Sequence, residues 1–240
     1  MTCNNCQNSI TQNAVFCGKC GAKKEDSKST SDYNQHIKKI AFIFFTLVTY
    51  ITVLNLSEIT NNKTNSIIID VIFSVIVLLF TFYDRQTIKR ILQIPKGNKK
   101  TVIYIVIIAP ILAFLVHHFA DLLNERLFHQ MKISDVYQTS FSIFDFSISV
   151  LSIAIFPAIF EELAFRGVIF QELTKITNLK IAIIISSILF TILHFSLISI
   201  LWIFPIGIVL GYLRAKYRTL WYGVLAHFIY NLSIIILEKL

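Results

Sequence analysis

The chain has few charged residues: Asp, Glu, Lys and Arg make up only 15% of its 240 residues, against about 25% in an ordinary soluble domain. It also has few glycines and prolines, seven and four respectively, which excludes a collagen-like or disordered chain. Hydrophobic residues make up 55% of the sequence. Since a single water-soluble globule does not fit this composition, we predict an all-α, polytopic membrane protein.

Seven apolar runs predict seven transmembrane helices. The first three lie near residues 38–56, 67–83 and 101–120, each close to the ~20 residues that a bilayer-spanning helix needs. The last four lie near residues 143–170, 181–198, 199–213 and 220–237. We therefore predict a transmembrane domain over residues 38–240. The polar segment before it lacks the apolar core of a cleaved signal peptide.

Lysines and arginines cluster in alternate segments between these runs, although a net charge of +8 could also suggest nucleic-acid binding. Loops rich in Lys and Arg are retained in the cytoplasm, whereas acidic residues contribute little to orientation. With the N-terminus inside, 18 of the 22 basic residues fall inside and 4 outside. The charge therefore predicts a multi-pass cell-membrane protein with a cytoplasmic N-terminus and an external C-terminus, and no nucleic-acid partner.

The four cysteines form two pairs with the spacing of metal knuckles, and these are Cys3, Cys6, Cys17 and Cys20. Two CxxC pairs can close a tetrahedral zinc site with four thiolate ligands and no open position. The alternative, two disulfides, requires an oxidising compartment, whereas the predicted topology puts this end in the reducing cytoplasm. We predict a structural zinc ribbon over residues 1–21 that recruits a cytoplasmic protein, followed by a flexible linker over residues 22–37.

The two knuckles differ at the residue that follows each second cysteine. Gly21 follows the second knuckle, where the chain must turn under the metal. Gln7 stands after the first knuckle. The second knuckle resembles the short zinc ribbons found on many bacterial membrane proteins.

Ionisable side chains at bilayer depth are expensive and therefore mark candidate functional sites. Measured from the basic residues that border the runs (Lys175, Lys180 and Arg218), Glu161 and His194 each lie ~21 Å along their helices, and His227 and Asn231 lie ~14 and ~20 Å along theirs. Three separate spans thus carry polar groups at similar depth. This convergence predicts one buried site, with packing hydrogen bonds between helices as the alternative. Polar residues near run ends are interpreted as interfacial; these are Asp70, His117 and His118.

Helical spacing assigns different surroundings to the two adjacent glutamates. Glu162 and Arg166 are four residues apart, so they share a helix face and can neutralise each other. Glu161 points about 100° away and has no such partner. It is therefore the candidate general base for a water molecule.

The other polar residues can complete a hydrolytic site. His194 supplies a second polar group, while His227 and Asn231, also four residues apart, present two donors that can stabilise an oxyanion in a dry cavity. Pro157 cannot donate a backbone hydrogen bond and so frees the carbonyl of Ile153. A simple packing kink at this proline is the alternative.

Three motifs, in this order, resemble those of the CAAX protease and bacteriocin-processing (CPBP, also called Abi) family of intramembrane proteases, relatives of the Ras-converting prenyl-protein endopeptidase. They are EExxxR at Glu161, Glu162 and Arg166, FxxxH at Phe190 and His194, and HxxxN at His227 and Asn231. Between the last two, Gly207-x3-Gly211-Tyr212 resembles the family's small-residue helix. The resemblance covers roughly residues 143–237, the expected protease core.

This resemblance implies hydrolysis of a peptide bond within the membrane. Glu161 and His194 would activate water, and His227 and Asn231 would stabilise the oxyanion. Supporting roles would fall to Glu162, Arg166 and Phe190. Bacterial relatives are linked to peptide maturation and bacteriocin self-immunity, so we expect a membrane-associated peptide or protein as substrate and membrane lipid as the surroundings.

Three alternatives to this interpretation stay open. The family is often labelled metalloprotease, and Glu161, His194 and His227 could ligate a catalytic zinc. We favour the metal-free glutamate mechanism, because no HExxH pair is present and the histidines fall on different spans. The chain could also be a non-catalytic membrane adaptor that recruits a partner through the ribbon, or a transporter with a proton relay.

Overall fold

The computed structural model describes residues 2–3, 5–9, 19–20, 30–56, 63–82, 85–95, 97–128 and 142–239. Over these residues the chain is helical apart from turns and one isolated antiparallel bridge between Thr2 and Ser9. The predicted all-α class is confirmed.

Eight helices follow one another in the described part of the chain. They are α1 (Thr30–Leu56), α2 (Lys63–Phe82), α3 (Arg85–Ile91), α4 (Lys99–Leu123), α5 (Ile143–Ile176), α6 (Leu179–Ile192), α7 (Ile200–Tyr217) and α8 (Trp221–Leu237). A π-helical turn over Asn124–Phe128 extends α4. The short α3 was not predicted, because its seven residues, RQTIKRI, are mostly polar.

The bundle is that of a multi-pass membrane protein. By length and composition α1, α4, α5 and α7 can each cross a membrane, and shorter apolar helices cover Ile67–Phe82, Leu179–Ile192 and Trp221–Leu237. Large apolar side chains on the outside are exposed, as a lipid-facing surface requires; examples are Leu79, Ile103 and Leu201. These seven apolar helices match the seven predicted runs.

Several sequence-based boundaries were wrong. Helix α1 begins at Thr30, within the segment 22–37 that was predicted to be a flexible linker. The fifth run was predicted to continue to residue 198, but α6 ends at Ile192 and residues 193–199 form turns. His194 therefore lies just beyond the helix, beside Phe195, whose φ of 48° is left-handed. Arg214 was counted as a loop charge, but it lies in the last turn of α7 and is buried. The errors at the ends of α6 and α7 arise because a hydropathy pattern shows which residues are apolar but not where a helix ends.

Helix α5 lies at the centre of the bundle and carries the EExxxR motif. It contacts α1, α2, α6, α7 and α8, and all nine residues from 162 to 170 are buried. Its middle is π-helical over Val150–Ile155, Pro157–Glu161 and Leu163–Ile169. Such wider turns are rare and often occur at functional sites. Because neither lipid nor the apolar core can satisfy a charge, the charged groups of this segment need partners on neighbouring helices.

Candidate active site

The Glu162 carboxylate is the centre of a buried charged group. Arg166 Nη1 donates to Glu162 Oε1 at 2.9 Å, and both side chains are at most 1% exposed. Arg166 Nη2 donates to the Gly207 carbonyl on α7 at 3.1 Å. The Arg166 guanidinium also lies 4.3 Å from the centre of the Phe190 ring, a cation–π contact. The pair predicted from helical spacing is confirmed, and it is linked to α6 and α7.

His227 on α8 connects the two motif glutamates. Its Nδ1 lies 3.3 Å from Glu162 Oε1, and its Nε2 lies 3.8 Å from Glu161 Oε2. The ring is only 6% exposed. A nitrogen that donates to one carboxylate fixes the orientation of the ring, so Glu162 orients the other nitrogen towards Glu161.

Gly223 allows α8 to approach this charged group closely. A Cβ atom at this position would lie 2.8 Å from Glu162 Oε2, inside ordinary van der Waals contact. Glu162 Oε2 itself is buried and makes no hydrogen bond within the described residues. The sequence analysis missed Gly223, although Gly223, His227 and Asn231 recur every four residues and therefore share one face of α8.

The four predicted catalytic side chains line one cavity of about 450 Å³. Its walls come from α4, α5, α7, α8 and the end of α6, and Glu161, His194, His227 and Asn231 are all among the lining residues. Glu161 is 24% exposed, whereas its neighbour Glu162 is 1% exposed. The two adjacent carboxylates thus differ as spacing predicted: one faces the cavity and one is buried against a cation.

His194 reaches the cavity from the turn after α6. Its Nδ1 lies 3.1 Å from the Phe190 carbonyl, and its ring packs edge-on against the Phe190 ring with 4.9 Å between centroids. Phe190 also contacts Arg166 and lies 6.1 Å from the His227 ring. The phenyl ring therefore separates His194 from the buried ion pair and supports the imidazole.

Asn231 is hydrogen-bonded to the Ile153 carbonyl, which lacks its usual α-helical donor because Pro157 has no N–H group. Asn231 Nδ2 donates to the Ile153 oxygen at 2.8 Å. The freed carbonyl predicted at Ile153 is thus an acceptor for the HxxxN motif itself. One amide hydrogen of Asn231 makes this contact. The other makes no hydrogen bond within the described residues.

A second, more apolar cavity of about 290 Å³ lies between α4, α7 and α8. It shares Ile206, His227 and Tyr230 with the first cavity. Its other walls include Ile105, Ala109 and the hydroxyl-bearing Tyr104. His227 therefore stands between the cavity that contains the polar motif side chains and an almost wholly apolar one.

Arg214 is a buried cation near the site that sequence analysis did not single out. Its Nε donates to the Arg166 carbonyl at 3.0 Å, and its Nη2 lies 3.4 Å from Gln171 Oε1. Gly207, Gly211 and Arg214 follow a spacing of four and three residues, so they share the face of α7 that packs on α5 and α6. That spacing is the signal that could have identified Arg214 as a packing residue.

Glu172 forms a second buried cluster at the end of α5. This carboxylate is 1% exposed, and it accepts from Lys39 Nζ at 2.6 Å, Lys175 Nζ at 3.0 Å and His36 Nδ1 at 2.7 Å. Lys175 is three residues away and could be expected from spacing. His36 and Lys39 come from α1 and could not, since no local pattern relates residues so distant in sequence.

Two groups of potential metal ligands converge within the described residues: Cys3 with Cys6 and Cys20, and His117 with His118 and Asp121. Cys3 Sγ lies 3.5 Å from Cys20 Sγ, and the three described thiols are not disulfide-bonded. Cys17 lies outside the described residues. Backbone N–H groups of Cys6 and Asn5 lower the pKa of the Cys3 thiol, which favours the thiolate that metals bind. Three close cysteines that could bind a metal are therefore present.

Comparison with known proteins finds similarity over the part of the chain that carries the three motifs. Residues 143–233 match the family described as "Type II CAAX prenyl endopeptidase Rce1-like". The "Putative membrane peptidase YdiL" of Bacillus subtilis (strain 168) is 34% identical over 80 residues, which are 33% of this chain and 33% of that protein. The similar segment thus spans about a third of the relative. No solved structure is significantly similar to the chain.

Proposed function

We propose that this chain, whose residues 143–233 match the Rce1-like family of CAAX prenyl endopeptidases, is an intramembrane endopeptidase that hydrolyses a peptide bond in a membrane-associated peptide or protein. The observation that carries the proposal is the shared cavity. Residues of all three motifs, from α5, α8 and the turn after α6, line the same space of about 450 Å³. Such a space can hold a peptide bond and a water molecule beside a carboxylate.

In the proposed reaction Glu161 is the general base. A water molecule between Glu161 and His194 attacks the peptide carbonyl carbon and transfers its proton to Glu161. The C–N bond then breaks, and the same proton passes to the leaving amine. His194, which lines the same cavity, orients the water.

His227 and the free amide hydrogen of Asn231 stabilise the oxyanion. Glu162 Oε1 lies 3.3 Å from Nδ1 of His227 and holds the ring in place beside the cavity. Glu162 is therefore proposed to position His227 rather than to touch substrate.

The apolar cavity beside His227 is the proposed location of apolar side chains near the bond that is cut. It adjoins the site through Ile206 and Tyr230. A membrane-associated peptide could place its polar backbone beside Glu161 and its apolar side chains here. Maturation of a bacterial peptide, or self-immunity against a bacteriocin, is the biological role that we propose on the basis of the family.

The N-terminal cysteines are proposed to hold a structural zinc ion. The structure brings Cys3, Cys6 and Cys20 within ligand distance of one another, and the fourth ligand would be Cys17. A four-thiolate site supplies folding energy and has no open position for catalysis. We propose that the ribbon lies on the cytoplasmic side and binds a protein partner there.

The test compares peptide termini by mass spectrometry. Membranes and medium are taken from cells with the intact protein, with Glu161→Gln, and with Glu125→Gln. The first substitution removes the base and keeps its size, whereas Glu125 is an exposed carboxylate beyond the end of α4. Since a general base contributes 10²- to 10⁴-fold, we expect some peptide ends to vanish in Glu161→Gln and to persist in the control.

Unchanged termini with a well-expressed Glu161→Gln protein would overturn the proposal. In that case, loss of phenotype on Cys6→Ser but not on Glu161→Gln would favour the membrane adaptor. Purified wild-type protein that releases the same peptide ends in detergent would instead exclude an indirect effect of another protease.

A further inference from the structure

A third group of polar side chains, His117, His118 and Asp121, lies near the C-terminal end of α4. One ligand atom from each of the three lies within 4.8 Å of those from the other two. His117 Nδ1 is 3.5 Å from Asp121 Oδ2. These residues belong to neither the ribbon nor the three protease motifs, and the matched domain begins only at residue 143.

The polar atoms of this group are buried without the hydrogen bonds that burial requires. The side chains of His117 and Asp121 are 9% and 14% exposed. Within the described residues, both ring nitrogens of His117 and Oδ1 of Asp121 make no hydrogen bond. Leaving buried polar groups without partners is unfavourable, so a ligand that satisfies them together would be stabilised here.

The geometry points to a binding site for a divalent transition-metal ion of the zinc class at His117, His118 and Asp121. Imidazole nitrogen and carboxylate oxygen are ordinary zinc ligands at about 2.0–2.2 Å. His117 and Asp121 are four residues apart, so both reach the same side of one helix, the arrangement that chelates zinc in helical motifs. Small rotations of His118, which is exposed and packs against Phe114, bring the third ligand in.

The group borders the proposed active site. His117 lines the cavity of about 450 Å³ together with Glu238, the residue that follows α8. A metal ion held by His117, His118 and Asp121 would therefore form part of the cavity wall and leave coordination positions open to water.

This site is distinct from the two other possible metal positions. The ribbon offers thiolates, whereas this group offers only nitrogen and oxygen. Within the described residues, the possible ligand atoms of Glu161, His194 and His227 do not lie as close together as those of the α4 group. Metal binding can therefore be assigned by the identity of the ligands.

The test uses the full-length protein in detergent, with one zinc equivalent loaded and excess metal removed by dialysis. Cobalt(II) is then added and followed by absorption spectroscopy and metal analysis. We expect one cobalt ion per chain with visible d–d bands and without the intense near-ultraviolet bands of thiolate ligation. His117→Gln and Asp121→Asn, which preserve side-chain size, should each weaken this binding at least tenfold.

Two further variants serve as controls. Glu125→Gln removes an exposed carboxylate one turn beyond Asp121, and Glu161→Gln removes the carboxylate of the proposed catalytic site. Both should bind cobalt as the wild type does. Cobalt should also raise the Tm of the wild type but not of His117→Gln, and equal Tm values without metal would show that the variant is folded.

The proposal is wrong if the wild type takes up no metal beyond the ribbon's equivalent. It is also wrong if Glu161→Gln abolishes the second equivalent while His117→Gln and Asp121→Asn retain it. Because the readout is metal content and spectrum, neither result depends on proteolytic activity.

Discussion

Gly223→Ala tests whether the closeness of α8 to Glu162 sets the geometry of the site. The added Cβ would lie 2.8 Å from Glu162 Oε2, about 0.6 Å inside the 3.4 Å limit of ordinary contact. Glu162 cannot retreat freely, since it is 1% exposed and its Oε1 is bonded to Arg166 at 2.9 Å. Either the carboxylate or α8 must move by several tenths of an ångström.

The expected effect on stability is small because two terms oppose each other. Weakening a charge-assisted hydrogen bond costs about 1.5–3 kcal/mol, whereas alanine in place of a helical glycine gains about 1 kcal/mol. The net loss is therefore about 1 kcal/mol, and the Tm should fall by about 2–4 °C. Activity should fall far more, by ~10- to 100-fold, because misplacing a catalytic group by 1 Å can cost 10²-fold.

The assay measures the rate at which the product peptide appears, together with the Tm in detergent. Gly211→Ala is the matched control: its Cβ would meet Ile183 Cγ2 at 3.1 Å and no charged group. It has the same helix-propensity gain and a comparable tight contact, so its activity should stay near wild type. A Gly223→Ala protein with full activity and a raised Tm would refute the reasoning.

Three other predictions concern the ribbon, the Glu172 cluster and Asn231. Gln7 has a left-handed φ of 55°, and it stands after the first knuckle where Gly21 stands after the second. Because glycine adopts this conformation without strain, Gln7→Gly should tighten zinc binding several-fold in a chelator competition. An unchanged zinc affinity would contradict this. Glu172→Gln should lower the free energy of unfolding by about 2 kcal/mol, and with it the Tm, because three donors lose their carboxylate acceptor. A Tm equal to that of the control Glu125→Gln would show that the cluster does not stabilise the fold. Asn231→Leu removes the donor to the Ile153 carbonyl, so it should cost about 0.5–1.5 kcal/mol as well as activity. Normal stability in denaturant would argue against the Ile153 contact.

Local spacing was sufficient to predict the relations within a helix. The four-residue separation of Glu162 and Arg166 predicted their ion pair, and it left Glu161 to face the cavity. The missing N–H of Pro157 predicted a free carbonyl at Ile153. These predictions succeed because helix geometry fixes which residues share a face, independently of the tertiary structure.

Relations between helices could not be predicted in the same way. The clash that requires glycine at 223 involves α5, and the lysine and histidine that hold Glu172 come from α1. Nothing in the sequence around these residues specifies a partner on a helix so distant in the chain. Arg214 illustrates the same limit: a basic residue after an apolar run indicates a loop, but the Arg166 carbonyl and Gln171 accept its donors within the bundle.

The hydrogen bond from Asn231 to Ile153 commits one of the two amide hydrogens of Asn231 before a substrate binds. The Ile153 oxygen is a peptide carbonyl, chemically the same group that a substrate would present to the other hydrogen. With a single hydrogen left, Asn231 can add only one hydrogen bond to a substrate, which is a small net gain in binding free energy. Affinity must then come from side chains that fill the cavities, which favours selection of substrates by their apolar residues and rapid release of a product that fills them poorly.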